Sequence, residues 1–362
     1  MAMHPFRVQS MRLPAGYVLA VALAALLPAI ALGQTPAAAS DGSAPAQQIS
    51  TEVLIEPRMV KRLPIDYPEE EVRANGEGWV YLGLMVDPTG KPFEVTVDSS
   101  SGNKVFEKEA IEAMEHARYK PGMLNGQPVE SATEFKVIFV LHEQPKGARP
   151  QFVGRYQAVQ KAIRSNDREA ADAAMKRLDV NNLYEDAFFG LISYAYALAW
   201  GDESQQLAGV QRALANESTD HYLPPREFAS LRLAALILDV QLRHYAEAAA
   251  LWPGILKSDI SPAAVDKLRP MIHQLEQVRL MGQPYDVAGS MLDGSWHLGL
   301  FEPNFRIRVS QGHISQVKLR CRKGFVRFNF DPDIEYKVGD QYGTCKMELN
   351  GTPGTSFTLT QF

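Results

Sequence analysis

The amino-acid sequence predicts a multidomain protein: an α+β domain with a β-β-α-β sheet, then an all-α region of helical repeats, then an all-β C-terminal domain. One reason is length, because 362 residues exceed the usual size of a single domain. The other is the pattern of apolar and turn residues, which changes twice along the chain. Strand-like runs alternate with one helical run over 57–144, Ala- and Leu-rich helical spacing fills 149–283, and short aromatic and β-branched runs occupy 286–362.

The first residues have the pattern of an export signal. Arg7 and Arg12 precede an apolar run, Tyr17–Leu27, which is followed by Pro28 and by small residues that suit a cleavage site. We expect residues 1–33 to be a signal peptide that directs the chain to the periplasm, and 34–56 to be a flexible linker. The alternative is an N-terminal anchor in the inner membrane that leaves the chain facing the periplasm, because about 20 apolar residues can span a bilayer.

Within 57–144, apolar periodicity and turn residues predict the elements of the first domain. These are, in chain order, a short helix Glu69–Ala74, strands Trp79–Val86 and Phe93–Val97, a helix Lys104–Ala117 and a third strand Thr133–Leu141. The longer helix has one apolar stripe. A three-stranded antiparallel sheet with helices on one face is the simplest arrangement that buries this stripe.

Ten turn and packing residues occur in a characteristic order along these elements: Tyr67, Pro68, Gly76, Gly78, Asp87, Gly90, Gly102, Pro121, Gly126 and Pro128. Their order and spacing resemble the C-terminal domain of TonB-type energy transducers. Tyr119 departs from the pattern, since the family more often has Phe at that place. The resemblance covers about a quarter of the chain and implies the β-β-α-β fold.

The resemblance also implies a binding function. In the family, this domain binds a short extended segment, the TonB box, of an outer-membrane transporter, which joins the sheet beside its last strand. An edge strand has unpaired N–H and C=O groups that a peptide can complete. The residues expected to form this peptide-binding edge are Thr133, Glu134, Phe135, Lys136, Val137, Ile138, Phe139 and Val140. Alternation predicts that Phe135 and Phe139 face the core, so that the backbone edge is the binding feature.

Two departures from the family narrow the functional expectation. A force-transmitting TonB needs a Pro-rich rod that crosses the periplasm, whereas Gln34–Ser50 contains only Pro36 and Pro45, and a coil of some 20–25 residues spans about 25 Å on average. More than half of the chain also follows the TonB-like region. The leading hypothesis is therefore a periplasmic binding or adaptor protein linked to TonB-dependent outer-membrane transport. The alternative is a cell-envelope scaffold or a homodimerisation protein without energy transduction.

The helical region 149–283 contains three turn-then-helix segments, which begin near Arg164, Trp200 and Leu242. Their spacing of about 35–43 residues is close to the period of tetratricopeptide-type helix pairs. The segment at Tyr245 resembles the middle of such a repeat. We expect tetratricopeptide-like repeats whose concave surface can bind a second protein partner, with an irregular helical bundle as the alternative.

The region 286–362 contains six or seven strand-like runs from Ser295 onward, enough for a small sandwich or barrel: Trp296–Leu300, Phe305–Val309, Ile314–Cys321, Phe325–Phe330, Ile334–Val338, Tyr342–Leu349 and Ser356–Leu359. Its two cysteines, Cys321 and Cys345, are too few for a cysteine-based zinc cluster, and export favours a disulfide between them over two free thiols. A bond that closes this loop would stabilise the domain by on the order of 3 kcal/mol.

The sequence contains no motif that indicates a catalytic, metal-binding or cofactor-binding site. The net charge of -5 offers no phosphate-binding surface, so nucleic acid is not an expected partner. No HExxH, GxSxG or GxxxxGK[ST] motif occurs, so we expect no catalytic residues, no metal site and no cofactor. An unrecognised periplasmic enzyme is the third functional hypothesis, because fold alone does not fix function.

Overall fold

The structure is a computed structural model that describes residues 52–61, 65–141, 147–217, 222–258 and 260–362. The expected signal peptide or anchor, 1–33, and most of the expected linker lie outside the described residues. The last residues of that linker are described. They form a two-residue strand, Leu54–Ile55, which pairs with Met123 and Leu124, so strand pairing holds this end of the linker.

The first domain is mixed α/β. Its elements are β1 Leu54–Ile55, β2 Arg58–Lys61, α1 Glu69–Ala74, β3 Gly78–Val86, β4 Pro92–Ser100, α2 Lys104–Glu115, β5 Arg118–Lys120, β6 Gly122–Leu124, β7 Gln127–Val129 and β8 Ser131–Phe139. The central antiparallel sheet has the order β4-β3-β8. Two small sheets, β2-β5 and β1-β6-β7, flank it. The segment between α2 and β8, where the sequence predicted a loop over Pro121–Pro128 and no strand, contains three short strands, which are too brief for a periodic signal.

Helix α2 is favoured by an N-terminal capping residue and by apolar residues at helical spacing. The Asn103 side chain accepts hydrogen bonds from the first backbone N–H groups of the helix. Three side chains at helical spacing, Phe106, Ala110 and Met114, are buried against one face of the central sheet. We call this the inner face of the sheet, and the opposite one the outer face. Fully burying such apolar side chains stabilises the fold by about 1.5–3 kcal/mol each for the larger ones.

Seven helices follow: α3 Pro150–Arg164, α4 Arg168–Met175, α5 Leu183–Trp200, α6 Glu203–Ala215, α7 Pro225–Gln241, α8 Tyr245–Leu256 and α9 Pro262–Met281. The three predicted turns join α3 to α4, α5 to α6, and α7 to α8, so each lies within a pair of packed helices. The α5–α6 turn ends in a capping box formed by Asp202 and Gln205. The assignment of these pairs to tetratricopeptide-like repeats stays a prediction.

The last domain contains two four-stranded antiparallel sheets, β10-β15-β12-β13 and β14-β11-β16-β9, which enclose one apolar core. Its strands are β9 Tyr285–Met291, β10 Ser295–Gly299, β11 Asn304–Gln311, β12 Ile314–Cys321, β13 Gly324–Asn329, β14 Tyr336–Lys337, β15 Cys345–Gly351 and β16 Thr355–Gln361. We call it the β domain. The prediction missed β9, and it extended the strand before Leu349 back to Tyr342, which lies in a 3₁₀ turn, Asp340–Tyr342.

A disulfide joins Cys321 and Cys345, the pair expected from the sequence. The two residues lie directly opposite each other on β12 and β15, with their Cα atoms 4.0 Å apart. The bond therefore ties together the two central strands of the sheet that faces the first domain.

Candidate peptide-binding edge

The outer edge of strand β8 is the candidate functional site. β8 pairs with β3 along its whole length, from Gly78 opposite Phe139 to Val86 opposite Ser131. On its other side, no strand pairs with it within the described ranges. About half of the backbone N–H and C=O groups of an antiparallel edge strand point away from its neighbour, so this edge can accept a further strand.

The side chains of β8 alternate between the two faces of the sheet. Val137 and Phe139 are buried on the inner face, where the Phe139 ring stacks on Phe106 with centroids 4.2 Å apart. The residues expected at the edge lie in this strand, from Thr133 to Phe139, except Val140, which follows the strand and packs near Trp79. Ile138 is 43% exposed on the outer face, which shows that the strand is reachable from solvent there.

The ten family-motif residues shape the domain and do not line the edge. The Tyr67 hydroxyl donates to the Gly76 carbonyl, and its ring meets the rings of Phe106 and Phe139 edge-on. Pro68 precedes α1, and Gly78 lies close to Ser101 and Phe106. Pro121 lies between β5 and β6, and the other motif residues are in turns or bends or in a short strand, namely Asp87, Gly90, Gly102, Gly126 and Pro128.

The β3–β4 turn shows why its residue types are needed. The Asp87 carboxylate accepts hydrogen bonds from the backbone N–H groups of Thr89 and Lys91, at 2.8 and 2.9 Å. Gly90 has a φ of 85°, and a Cβ at this residue would lie 2.0 Å from the Tyr119 carbonyl oxygen. This turn fixes the register of the hairpin against β5.

The outer face of the sheet is covered by the helical region at one end. The Trp79 indole donates to a carboxylate oxygen of Asp186, a residue of α5, at 2.8 Å. The same carboxylate accepts hydrogen bonds from Arg212 and Asn216, at 2.7 and 2.6 Å. The Lys136 ammonium of β8 donates to the backbone carbonyl at the end of α6. These contacts place α6 beside the outer side of the edge strand.

The β domain covers the other end of the outer face. The side chain of Arg320 of β12 is 3% exposed, forms an ion pair with Asp98 and donates to the Thr96 hydroxyl at 2.9 Å. Lys346 of β15 bridges Asp98 and Glu134, at 2.7 and 3.1 Å. Burial opposes ionisation of Asp98, but the charges of Lys346 and Arg320 outweigh it and lower the pKa of this carboxyl.

These contacts are possible because the central sheet of the first domain and the β12 sheet of the β domain lie unusually close together at Gly83. Gly83 lies in the middle of β3, and a Cβ there would be 1.6 Å from a guanidinium nitrogen of Arg320. No sequence motif indicated the four residues of these contacts, namely Gly83, Asp98, Arg320 and Asp186. Gly83 carried a usable signal, because a glycine inside a strand pattern often marks close approach of another part of the chain.

The comparisons with known proteins concern the same region. The family profile described as "Gram-negative bacterial TonB protein C-terminal" matches residues 64–141. Residues 64–141 form a TonB C-terminal domain. Domains of this family are associated with transport, and proteins that carry them are periplasmic or membrane-anchored. The family assignment covers this domain, and the helical region and the β domain lie outside the match.

The solved structures that are similar to part of this chain include two TonB proteins. The solution structure of the Pseudomonas aeruginosa TonB C-terminal domain is 22% identical, with 25% of this chain and 91% of that chain covered and a TM-score of 0.22. The TonB2 protein of Vibrio anguillarum is 25% identical, with 31% and 98% covered and a TM-score of 0.20. No match to a curated protein was found.

The described part of the chain contains neither a candidate metal site nor a candidate membrane-spanning helix. No group of three or more His, Cys, Asp or Glu residues there is placed to hold a metal ion. None of the helices described is both long enough and apolar enough to cross a bilayer.

Proposed function

We propose that the chain is a periplasmic TonB-domain binding or adaptor protein, linked to TonB-dependent outer-membrane transport, that takes up an extended peptide of an outer-membrane transporter on the free edge of β8. One observation supports this most directly: β8 pairs with β3 on one side and with no described strand on the other. The TonB family match supplies the kind of partner. Main-chain hydrogen bonds would give affinity, and pockets for alternate side chains would give specificity.

The other parts of the chain fit an adaptor. The helical region contributes a surface of paired helices for a second protein partner, and the N-terminal segment 1–33 directs the chain to the periplasm. The sheet forms hydrogen bonds and ion pairs with both the helical region and the β domain. These contacts favour a fixed binding surface over a domain that moves at the end of a long Pro-rich rod. A cell-envelope scaffold that dimerises through the same edge is the second candidate, because an unpaired edge strand can also pair with its own copy.

A pair of proline substitutions in the full chain tests the docking edge. In an antiparallel strand, successive residues direct their N–H groups to opposite sides, so one of Val137 and Ile138 donates toward β3 and the other toward the free edge. Proline removes the donor at either place. We expect the Val137→Pro and Ile138→Pro variants to differ: one loses thermal stability, and the other keeps it but binds labelled TonB-box peptides at least tenfold more weakly.

The Val137→Ala variant controls for the lost side chain, since Val137 is buried. Fluorescence anisotropy measures the affinity for the peptides, and sedimentation velocity measures the oligomeric state. Peptide affinity that is unchanged in both proline variants would contradict docking at this edge. A dimer in the wild type that dissociates in the edge-facing proline variant, without peptide binding, would support the scaffold instead.

A further inference from the structure

A partly open cavity of about 670 Å³ lies beside the β8 edge, where the first domain, the helical region and the β domain meet. Ala132 and Glu134 of β8 line one wall, and residues of α6 to α9 and of β15 line the others. Both β8 residues point to the outer face. A strand added to β8 would project every second side chain to the same face, so one of these side chains would enter the cavity.

The cavity is not uniform in charge, because most of its cations are already neutralised. Of the four basic residues in the lining, Arg320, Arg322 and Lys346 form ion pairs with carboxylates. The fourth, Arg279, lies over the ring of Phe301. The three ion-paired groups therefore have little free positive charge to offer an anionic ligand, whereas Arg279 keeps its charge.

Two carboxyl groups in the lining, Asp239 and Glu247, form no ion pair with a Lys or Arg of the described chain. Asp239 of α7 is 1% exposed, and its Oδ1 atom accepts no hydrogen bond within the described chain; the His244 imidazole lies 3.5 Å from it. Glu247 of α8 accepts a hydrogen bond from the Gly299 N–H at 2.6 Å through one oxygen, while the other oxygen is buried and accepts none. Burial raises the pKa of both carboxyl groups, against the opposing effect of His244.

Unsatisfied buried carboxylates are costly, and a cation brought by a ligand would remove that cost. We infer that the cavity binds one basic side chain, lysine or arginine, of the strand that joins β8, presented from the position opposite Glu134 or from the next outward position. This inference rests on the proposed docking function. The Glu134 side chain is 64% exposed, so an acidic group also stands at the rim where the basic side chain would enter.

The chain's own N-terminal segment is a less suitable occupant. Glu52 and Glu56 form ion pairs with Lys323 and Arg322, so the described chain begins close to the cavity. The preceding residues 34–51, however, contain no Lys, Arg or His. They cannot supply the cation that Asp239 and Glu247 lack, whereas a basic strand from another protein can.

The test uses two matched sets of capped nine-residue peptides of alternating Thr and Val, with one Lys or one Gln placed at each position in turn. Their dissociation constants are measured with the full chain and with its Glu247→Gln, Asp239→Asn and Glu169→Gln variants. Glu169 is exposed on α4, far from β8 in the sequence, and serves as the control. The amide oxygen introduced by Glu247→Gln can still accept the Gly299 N–H, so that variant is expected to fold.

We expect at least one Lys peptide to bind about tenfold more tightly than its Gln counterpart. This preference should vanish in the Glu247→Gln or Asp239→Asn variant and persist in Glu169→Gln. Equal binding of the Lys and Gln sets would overturn the cavity inference and leave docking intact. Failure of every peptide to bind would refute docking on this edge, and the cavity inference with it. A Glu247-dependent site for free spermidine, without a lysine preference among the peptides, would likewise overturn it.

Discussion

The substitution Gly83→Ala tests whether the β domain is locked onto the sheet through Arg320. Gly83 lies on the outer face of the central strand, and a Cβ there would be 1.6 Å from Nη1 and 2.4 Å from Cζ of Arg320. No rotation of the new methyl group can avoid this contact, because the Cβ position is fixed by the backbone. The guanidinium would have to leave a site where it is almost fully buried.

The cost follows from what Arg320 would give up. It would lose its ion pair with Asp98 and its hydrogen bond to the Thr96 hydroxyl. Breaking a buried ion pair costs about 3–5 kcal/mol. Asp98 would keep Lys346, whose ammonium is 2.7 Å away, so the lower end of that range applies. We expect Gly83→Ala to lower the free energy of unfolding by about 3 kcal/mol.

A double-mutant cycle measures this cost, with urea unfolding of the full chain followed by tryptophan fluorescence and circular dichroism. In an Arg320→Ala background the clash is absent, so Gly83→Ala should cost less than about 1 kcal/mol, and the coupling between the two sites should be about 2 kcal/mol or more. Gly154→Ala is the control: Gly154 lies in α3 with nothing near its Cβ position, and the change should stabilise by up to about 1 kcal/mol. Equal costs of Gly83→Ala with and without Arg320 would refute the reasoning.

Two further predictions concern the β domain and the cavity. The double variant Cys321→Ser and Cys345→Ser frees a loop with a sequence separation of 24 residues, and should lower the free energy of unfolding in urea by about 3 kcal/mol; a variant as stable as the oxidised wild type would contradict this. The Glu247→Gln variant should gain melting temperature over the wild type as pH rises from 4 to 8. Burial raises the pKa of Glu247 in the folded chain, so unfolding releases a proton and the wild type loses stability through that pH window. Parallel curves of melting temperature against pH would contradict this reasoning.

The sequence predicted the first domain well because its signals are local. Helix α2 has an Asn cap and an apolar stripe at helical spacing, and it begins at Lys104 as expected. The short helix α1 has the predicted bounds, since Pro68 precedes it and Asn75 takes a left-handed conformation at its end. Strands β5, β6 and β7 have only three residues each, and alternation over three residues cannot be told from a loop.

The β domain was predicted less well, for two physical reasons. Strand β9 contains Ala288, Gly289 and Ser290, which have weak strand preference, so its pairing with β16 decides its structure. The segment from Tyr342 to Leu349 was predicted as one strand, but Gly343 has a positive φ and turns the chain before Cys345. In both places non-local pairing or a single turn residue outweighs local propensity.

The sequence predicted the strand that forms the candidate site, but not the elements that surround it. The apolar residues Trp79, Tyr81 and Met85 alternate with equally apolar residues along β3, which indicates burial on both faces of the sheet. The sequence therefore indicates that something covers the outer face. It cannot indicate that the cover consists of α6 and the β domain, because Arg320 and Asp98 are 222 residues apart and neither belongs to a recognisable motif.

This double burial restricts how the domain can bind. Helix α2 occupies the inner face, and the Asp186 and Arg320 contacts occupy the outer face, so a further strand can pair with this described sheet at an edge strand, β4 or β8, and the proposed site is the edge of β8. A strand that pairs with β8 would direct half of its side chains toward α6, α8 and β15. These three elements belong to the helical region and the β domain, whereas β8 belongs to the first domain. Backbone pairing would then come from the TonB domain, while the choice among sequences would come from the helical region and the β domain. On this arrangement, the two additional domains would decide which strand the TonB domain accepts.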